Sequence, residues 1–462
     1  MADRPRPSAL LTDLYELTMA AAYFENNIRA TASFELFVRA LPRDRGYLVA
    51  AGLEQALDYL ESLRFTSEEI DFLRRQEVFR RVSDAFFESL RAFRFTGEVW
   101  AAPEGTLVFA EEPLLRVTAP IAEAQIVETF LLSTLTFQTL IATKAARVVE
   151  AAQGRGVVEF GTRRAHGPEA GVLAARAAFI GGCIGTSNVE AGYRFGIPTY
   201  GTLAHSFVMA YAEEGESFRQ FQRVFPEHSV LLVDTYDTLG AIEKIIQLGL
   251  RPKGVRLDSG DLVELSRAVR RRLDKAGLTE TKIFGSGDLN EFSIQEALAR
   301  GAAVDFFGVG TELATSKDAP ALGGVYKLVE LEAPPGQAVR EVHYRAKFSE
   351  DKVSSPGRKQ VFRFRDPQGL YDHDLIGLAD ETYLAAEPLL IPVMRNGCST
   401  VAPRSLLDLQ QHARQSLQRL PTRYRQLQNP PAYPVRPSAA LAALLERVRQ
   451  AVLQPAAKKN PR

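Results

Sequence analysis

Between about residues 155 and 332 the chain is punctuated by short apolar runs. They are VVEF (157–160), IPTYG (197–201), SVLLVD (229–234), KGVRLDSG (253–260), TKIFGSGD (281–288), AVDFFGVG (303–310) and GVYKLVEL (324–331). Each has the length of a buried strand and is too short for a helix. Helical patterns lie between most of them. LVELSRAVRRRLDKAG (262–277) sets Leu262, Leu265, Val269 and Leu273 on one stripe, with Gly277 where a helix would stop. NEFSIQEALARG (290–301) opens on Asn290, a good cap, and closes on Gly301. Alternating strand and helix predicts a parallel sheet covered by helices. Six or seven such units predict an α/β barrel, closed or incomplete, over an open sheet. The pattern alternates without internal sequence repetition.

The flanks read differently. Residues 11–135 mix helices and strands. YLVAAGLEQALDYLESL (47–63) is amphipathic with helical spacing, and GEVWAAPEGTLVFAEEPLLRVTAP (97–120) is strand text broken by Pro and Gly turns. After the barrel text, GQAVREVHYRAKFSEDKVSSPGRKQVFRF predicts strands with a basic loop. RSLLDLQQHARQSLQRL (404–420) predicts an amphipathic helix. Residues 1–8 and 454–462 look like loose tails. The chain thus divides into a mixed α+β segment at 9–140, a barrel at 141–335 and a C-terminal segment at 336–455.

Composition narrows the function classes. Lys+Arg and Asp+Glu are both 56 of 462 residues, so no basic excess points to nucleic acid. A local pocket for a small anion remains open. The stretch TFLLSTLTFQTLIATK (129–144) is interrupted by Ser, Thr and Gln and predicts no membrane span. The N-terminus has no signal-peptide core. Two cysteines, Cys183 and Cys398, are too few for a disulfide framework, and a reducing cytoplasm is the expected setting.

In a parallel barrel the active site lies where the strands end, and here those ends are polar. VVEF leads into Arg163, Arg164 and His166. IPTYG leads into Thr202 and His205. LLVD ends on Asp234, with Asp237 close by. GVRLDSGD carries Arg256, Asp258 and Asp261. IFGSGDLN carries Ser286, Gly287, Asp288 and Asn290, and FFGVGTE carries Gly308, Gly310 and Thr311. The turns GSGD and GVGT let backbone N–H groups approach an anion at a helix start. Asp258 and Asp288 are either helix caps or groups for a ribose diol or, through water, Mg²⁺. Arg163, Arg164 and Arg256 suit carboxylate and phosphate. From residues alone the rim fits a phosphosugar enzyme.

Longer stretches carry a resemblance. LLTDLYELTMAAAYF (10–24), FELFVRALPRDRGYLVAAGLEQAL (34–57), EFGTRRAHGPEA (159–170), GTSNVEAGYRFGIPTYGTLAHSFVMAY (185–211), GVRLDSGDL (254–262) and FGVGTELATS…LGGVYKLVE (307–330) resemble the nicotinate phosphoribosyltransferase family. The resemblance implies a type II phosphoribosyltransferase fold, an incomplete barrel beside a mixed domain built from N- and C-terminal segments. It implies transfer from phosphoribosyl pyrophosphate to nicotinate, with ATP as co-substrate and Mg²⁺ as cofactor. His205 falls on the family's phosphohistidine position, with Asp234 or another acid orienting the ring. Arg256 falls on the arginine for the base carboxylate, with Thr202 nearby. Phe160 and Tyr15 fall on ring-sandwiching positions, the tyrosine coming from a second copy, which implies a homodimer with a shared site. Arg163, Arg164, Asp258, Ser286, Gly287, Asp288, Gly308, Gly310 and Thr311 fall to phosphate and ribose.

Ser187 bears on the substrate. Related nicotinamide enzymes carry an Asp there, which accepts from the amide; a serine does not repel a carboxylate, and it can also cap the helix after it. Quinolinate phosphoribosyltransferase is the nearest alternative. A sugar-phosphate isomerase or aldolase is more remote, since no lysine stands at a strand end, although Glu159 is near one. A catalytically dead barrel is a third. Lys347, Lys352 and Lys359 belong to a basic loop that reaches phosphates or only solvent, and Cys183 reads as a small buried residue.

Overall fold

The structure is a computed structural model, described here for residues 7–333, 342–348 and 354–453. The chain forms two compact units. One comprises residues 1–139, 321–405 and 415–462, the other residues 140–320 and 406–414.

The first unit is mixed α+β. Its seven-stranded sheet runs 342–344, 324–332, 31–38, 113–120, 98–101, 391–395, 398–399, so strands from both chain ends interleave. Thr31–Val38 pairs antiparallel with Pro113–Pro120 on one side and with Gly324–Glu332 on the other. Being central, it is buried along nearly its whole length, as its dense apolar text requires. Its Glu35 is buried too and is neutralised by Lys359, whose Nζ lies 2.7 Å from Oε2. Lys359 Nζ also donates to the carbonyls of Ser355 and Gly357, so it is a core cation and not part of a solvated loop. Lys347 is exposed, and Lys352 lies outside the described residues. The run GVYKLVEL therefore belongs to this sheet and not to the barrel. The barrel unit stops at 320 rather than 335, because residues 324–332 find their partners beside Thr31–Val38.

The second unit is the barrel. The long helix α1 (Glu128–Ala151) enters it at residue 140. Then follow β1 (Gly156–Glu159), α2 (Pro168–Ile180), β2 (Gly185–Thr186), α3 (Val189–Phe195), α4 (His205–Met209), α5 (Glu214–Val224) and β3 (Val230–Leu232). After them come α6 (Thr238–Gln247), β4 (Gly254–Leu257), α7 (Leu262–Lys275), β5 (Lys282–Gly285), α8 (Glu291–Ala299), β6 (Phe306–Val309) and α9 (Thr311–Ala314). All sheet pairings are parallel, in the order β2-β1-β6-β5-β4-β3. The first strand pairs with the last, so the sheet curls round, and the gap falls between β2 and β3. This is an incomplete barrel. IPTYG, expected as a strand, contributes only the isolated bridge between Thr199 and Thr186, beside that gap.

Each strand alternates its faces. Val157, Leu231, Val255, Ile283 and Phe307 are fully buried. Arg256, Phe284 and Phe306 stand level with one another across the sheet and are only half-buried. Phe284 and Phe306 stack at 4.8 Å. Arg256 is thus the polar member of an otherwise aromatic layer. Asp237, Asp261 and Asn290 cap α6, α7 and α8. No described helix is long and apolar enough to cross a membrane.

Candidate active site

The polar strand ends converge on a cavity of about 590 Å³ lined by residues of the barrel unit. β1 supplies Phe160 and the turn with Arg163 and Arg164. β2 supplies Ser187. The segment before α4 supplies Gly201 to Ala204. β4 supplies Arg256 and Asp258, β5 supplies Ser286, Gly287 and Asp288, and β6 supplies Gly308, Gly310 and Thr311. A larger cavity, about 730 Å³, lies in the first unit. Its floor is chiefly apolar, with Phe37, Phe109, Tyr433 and Leu441, and it lacks the strand-end constellation.

Arg256 is the hub. Its Nε donates to Ser286 Oγ at 2.8 Å, Nη1 to Thr202 Oγ1 at 2.9 Å and Nη2 to Asp258 Oδ1 at 2.5 Å. Ser286 Oγ also donates to Asp258 Oδ1 at 2.6 Å. Burial works against ionisation of Asp258, but the Ser286 hydroxyl and the Arg256 guanidinium outweigh it and hold the carboxyl below its usual range. The guanidinium stands 5.8 Å from the centroid of the Phe160 ring. Phe160 has room because residue 308 is glycine: a Cβ there would lie 2.5 Å from the ring.

Since Asp261 and Asn290 are the caps, Asp258 and Asp288 are left facing the cavity. Gly287 (φ +92°) and Asp288 (φ +46°) are both left-handed, and a Cβ on Gly287 would lie 2.1 Å from the Asp258 carbonyl oxygen. Only glycine fits that close approach.

His205 opens α4 directly after Ala204, the last lining residue of its segment, and is half-buried. Its Nδ1 lies 3.1 Å from Thr235 Oγ1. Asp234, expected as a candidate to orient the ring, makes no hydrogen bond to it: its Oδ2 accepts from the Asp258 N–H and the Ser259 hydroxyl, and its buried Oδ1 has no hydrogen-bond partner among the described residues. Thr235 is the group that sequence reasoning missed. Its only signal is its place directly after the β3 acid. Glu159 is fully buried and accepts from Thr186 Oγ1 and the Gly161 N–H, so it offers no base to the cavity. Tyr15 lies in the first unit on the helix Leu14–Glu25 and is 45% exposed. Burial, then the carboxylates of Glu128 and Glu16, keep its phenol above the ordinary tyrosine range. His166 is exposed, and Cys183 is buried.

Among the described residues no three His, Cys, Asp or Glu side chains converge as a metal cage. The exposed carboxylate of Asp288 lines the cavity, where a hard divalent cation could be held through water.

An arginine fork and two glycine turns at the rim of a once-broken parallel barrel define a type II phosphoribosyltransferase. The models of the nicotinate phosphoribosyltransferase N-terminal and C-terminal domains match residues 10–136 and 382–445, and that of the quinolinate phosphoribosyl transferase C-terminal domain matches 141–319. A nicotinate phosphoribosyltransferase of Mycobacterium tuberculosis, pncB2, is 46% identical over 98% of this chain and 96% of its own. The Bacillus subtilis enzyme is 41% identical over 92% of each chain. The crystal structure of human nicotinic acid phosphoribosyltransferase superposes with a TM-score of 0.82 at 30% identity, over 95% of this chain and 99% of that one. The chain belongs to the nicotinate phosphoribosyltransferase family.

Proposed function

We propose that the protein joins nicotinate to 5-phosphoribosyl 1-pyrophosphate, releasing nicotinate mononucleotide and pyrophosphate, with ATP hydrolysis coupled through a phosphorylated His205. The observation that carries this reading is Arg256 beside Phe160. A cation at the face of an aromatic ring is a seat for a planar aromatic carboxylate. The ring packs on Phe160 while the carboxylate takes guanidinium protons now shared with Thr202 and Asp258. The glycine turns hold the phosphate groups through backbone N–H donors. Asp258 or Asp288 takes the ribose hydroxyls. The pyridine nitrogen attacks the ribosyl carbon, the C–O bond to pyrophosphate breaks, and Arg163 and Arg164 offset the leaving charge. Mg²⁺, carried on the diphosphate, would add to that charge stabilisation.

In the tautomer that carries its proton on Nδ1 and donates it to Thr235 Oγ1, His205 has its lone pair on Nε2. That nitrogen attacks the γ-phosphorus of ATP, an N–P bond forms, and ADP leaves. Ser187 leaves room for a carboxylate, which favours nicotinate over nicotinamide. The barrel alone also matches the quinolinate family, but the flanking segments and the names of the full-length relatives favour nicotinate. A homodimer with a shared site fits the apolar groups left open on elements flanking the barrel gap. Val189, Tyr193, Met209 and Tyr236 are 75%, 73%, 64% and 65% exposed. Tyr15 would come from the second copy. A cytoplasmic setting fits two free thiols.

The test is purified protein with phosphoribosyl pyrophosphate, Mg²⁺ and either nicotinate or nicotinamide, with and without ATP. Nicotinate mononucleotide forms, faster with ATP, and nicotinamide is a poor acceptor. No mononucleotide from nicotinate overturns the reading. ATP-independent turnover with quinolinate supports the alternative.

Gly287→Ala separates the phosphate turn from the base site. The added methyl must displace the Asp258 carbonyl and strain a left-handed residue. KM for phosphoribosyl pyrophosphate rises about tenfold or more, while KM for nicotinate changes little. An unchanged phosphoribosyl pyrophosphate KM would remove the turn from the anion site.

A further inference from the structure

Beneath the two glycine turns lies a cluster of buried charges that the chemistry above does not use. Lys144 and Arg147, three residues apart on α1, are 0% and 1% exposed. Glu291, the first residue of α8, is fully buried. Its Oε1 accepts Arg147 Nε at 3.1 Å, and its Oε2 lies 2.6 Å from Lys144 Nζ. Lys144 Nζ also donates to Asp318 Oδ1 at 2.8 Å and stands 3.9 Å from Glu312 Oε2. Glu312 is the second residue of α9, and its Oε1 is held by Lys317 at 3.1 Å.

The positions of these carboxylates matter. Glu291 follows directly on GSGDLN, and Glu312 follows directly on GVGT. Lys144 therefore touches, from behind, the first turns of the two helices that the anion-binding turns lead into. The GSGD turn contains two consecutive left-handed residues, Gly287 and Asp288, and glycine permits many backbone shapes. Such a turn needs an outside support to keep its N–H groups aimed. A buried ion cluster is a poor way to gain stability, since apolar side chains of similar volume commonly do as well or better. What it supplies is a shared charge: one buried ammonium, 2.6 Å from Glu291 and 3.9 Å from Glu312 and hydrogen-bonded to Asp318, links the start of α8 to the start of α9. An apolar contact would let the two slide.

We propose that Lys144 is a positioning residue that, with Arg147 and Glu291, fixes the spacing of the two glycine turns and so sets the affinity for the phosphoribosyl substrate. The proposal rests on the function inferred above. It predicts an effect concentrated on the anion side of the site. The pyridine seat, formed by Phe160, Arg256 and Thr202, shares no residue with the cluster and meets the GSGD turn at Ser286, which accepts from Arg256 Nε.

Lys144→Met alone takes away the cation 2.6 Å from Glu291 Oε2, leaves the cluster one positive charge short and is expected to lose stability. The informative variant is Lys144→Met with Glu291→Gln. It removes one buried charge of each sign and keeps an acceptor for Arg147. Asp318→Asn is the second variant; its side chain is 31% exposed and an amide oxygen can still accept from Lys144, so the change is the milder one. Thermal melting first identifies which variants are folded. Inorganic pyrophosphate is then titrated calorimetrically into each, and KM for both substrates is measured. The double variant binds pyrophosphate about tenfold more weakly and raises KM for phosphoribosyl pyrophosphate by the same factor. Its KM for nicotinate and its kcat stay within about twofold. Asp318→Asn shows the same selectivity at about threefold. Folded variants with wild-type pyrophosphate affinity overturn the proposal and leave the cluster purely structural. If the double variant fails to fold, Asp318→Asn decides alone by the same readout. Pyrophosphate binding does not require turnover. Wild-type protein that binds pyrophosphate yet makes no mononucleotide would fail the functional reading while leaving this comparison intact.

Discussion

Replacing Arg256 by glutamine lowers kcat/KM for nicotinate about 100- to 1000-fold, with melting temperature little changed. The substitution removes the charge that a desolvated carboxylate needs, and leaving such a group unpaired costs several kcal/mol. It also frees Asp258, which now has its carboxyl held down by Ser286 and by this guanidinium. With the cation gone, the Asp258 charge faces the substrate carboxylate, and repulsion adds to lost attraction. Arg256→Lys recovers only part of the loss, because an ammonium cannot reach Ser286, Thr202 and Asp258 as a planar fork does. Selectivity for nicotinate over nicotinamide falls in parallel. Steady-state kinetics with both bases checks this, and kcat/KM within threefold of wild type for Arg256→Gln would remove the arginine from the base site.

His205→Ala abolishes stimulation by ATP and acid-labile phosphate labelling from γ-labelled ATP, while basal transfer persists within about tenfold. The asymmetry follows from geometry: His205 stands just past the lining residues and hydrogen-bonds Thr235, while it reaches the Arg256 fork through its charge on Asp258. ATP stimulation that survives in His205→Ala would rule out the phosphohistidine.

The barrel was legible because its strands are short, largely buried and read as separate apolar runs. Two runs misled for different reasons. GVYKLVEL is as apolar as any barrel strand, but its partners lie some 290 residues earlier in the first unit's sheet, a pairing that local pattern does not encode. IPTYG has strand composition but falls beside the barrel gap, where it makes only one bridge. The cavity residues were legible for a simpler reason: each follows a strand, so topology gathers them whatever the loop details. The support of His205 was not legible, because adjacent Asp234 and Thr235 are equally placed in sequence and only the third dimension shows which one turns toward the ring. The buried charge of Lys144 and Arg147 was hidden too, because the run 129–144 by itself says only that it spans no membrane.

The interleaved sheet of the first unit has a consequence for the chain as it is being made. Strand Thr31–Val38 can zip to Pro113–Pro120 early, but its other edge waits for Gly324–Glu332. The roughly 200 residues between those two partners take on the order of 10–40 s to synthesise at typical rates. During that interval a long apolar strand presents unpaired N–H and C=O groups, a ready template for a neighbouring nascent chain. The barrel strands, all within residues 156–309, can by contrast pair before the first unit's sheet is complete. Vectorial synthesis therefore makes the N-terminal unit the last to close, and the open edge of Thr31–Val38 is where ribosome-associated chaperones would matter most for yield.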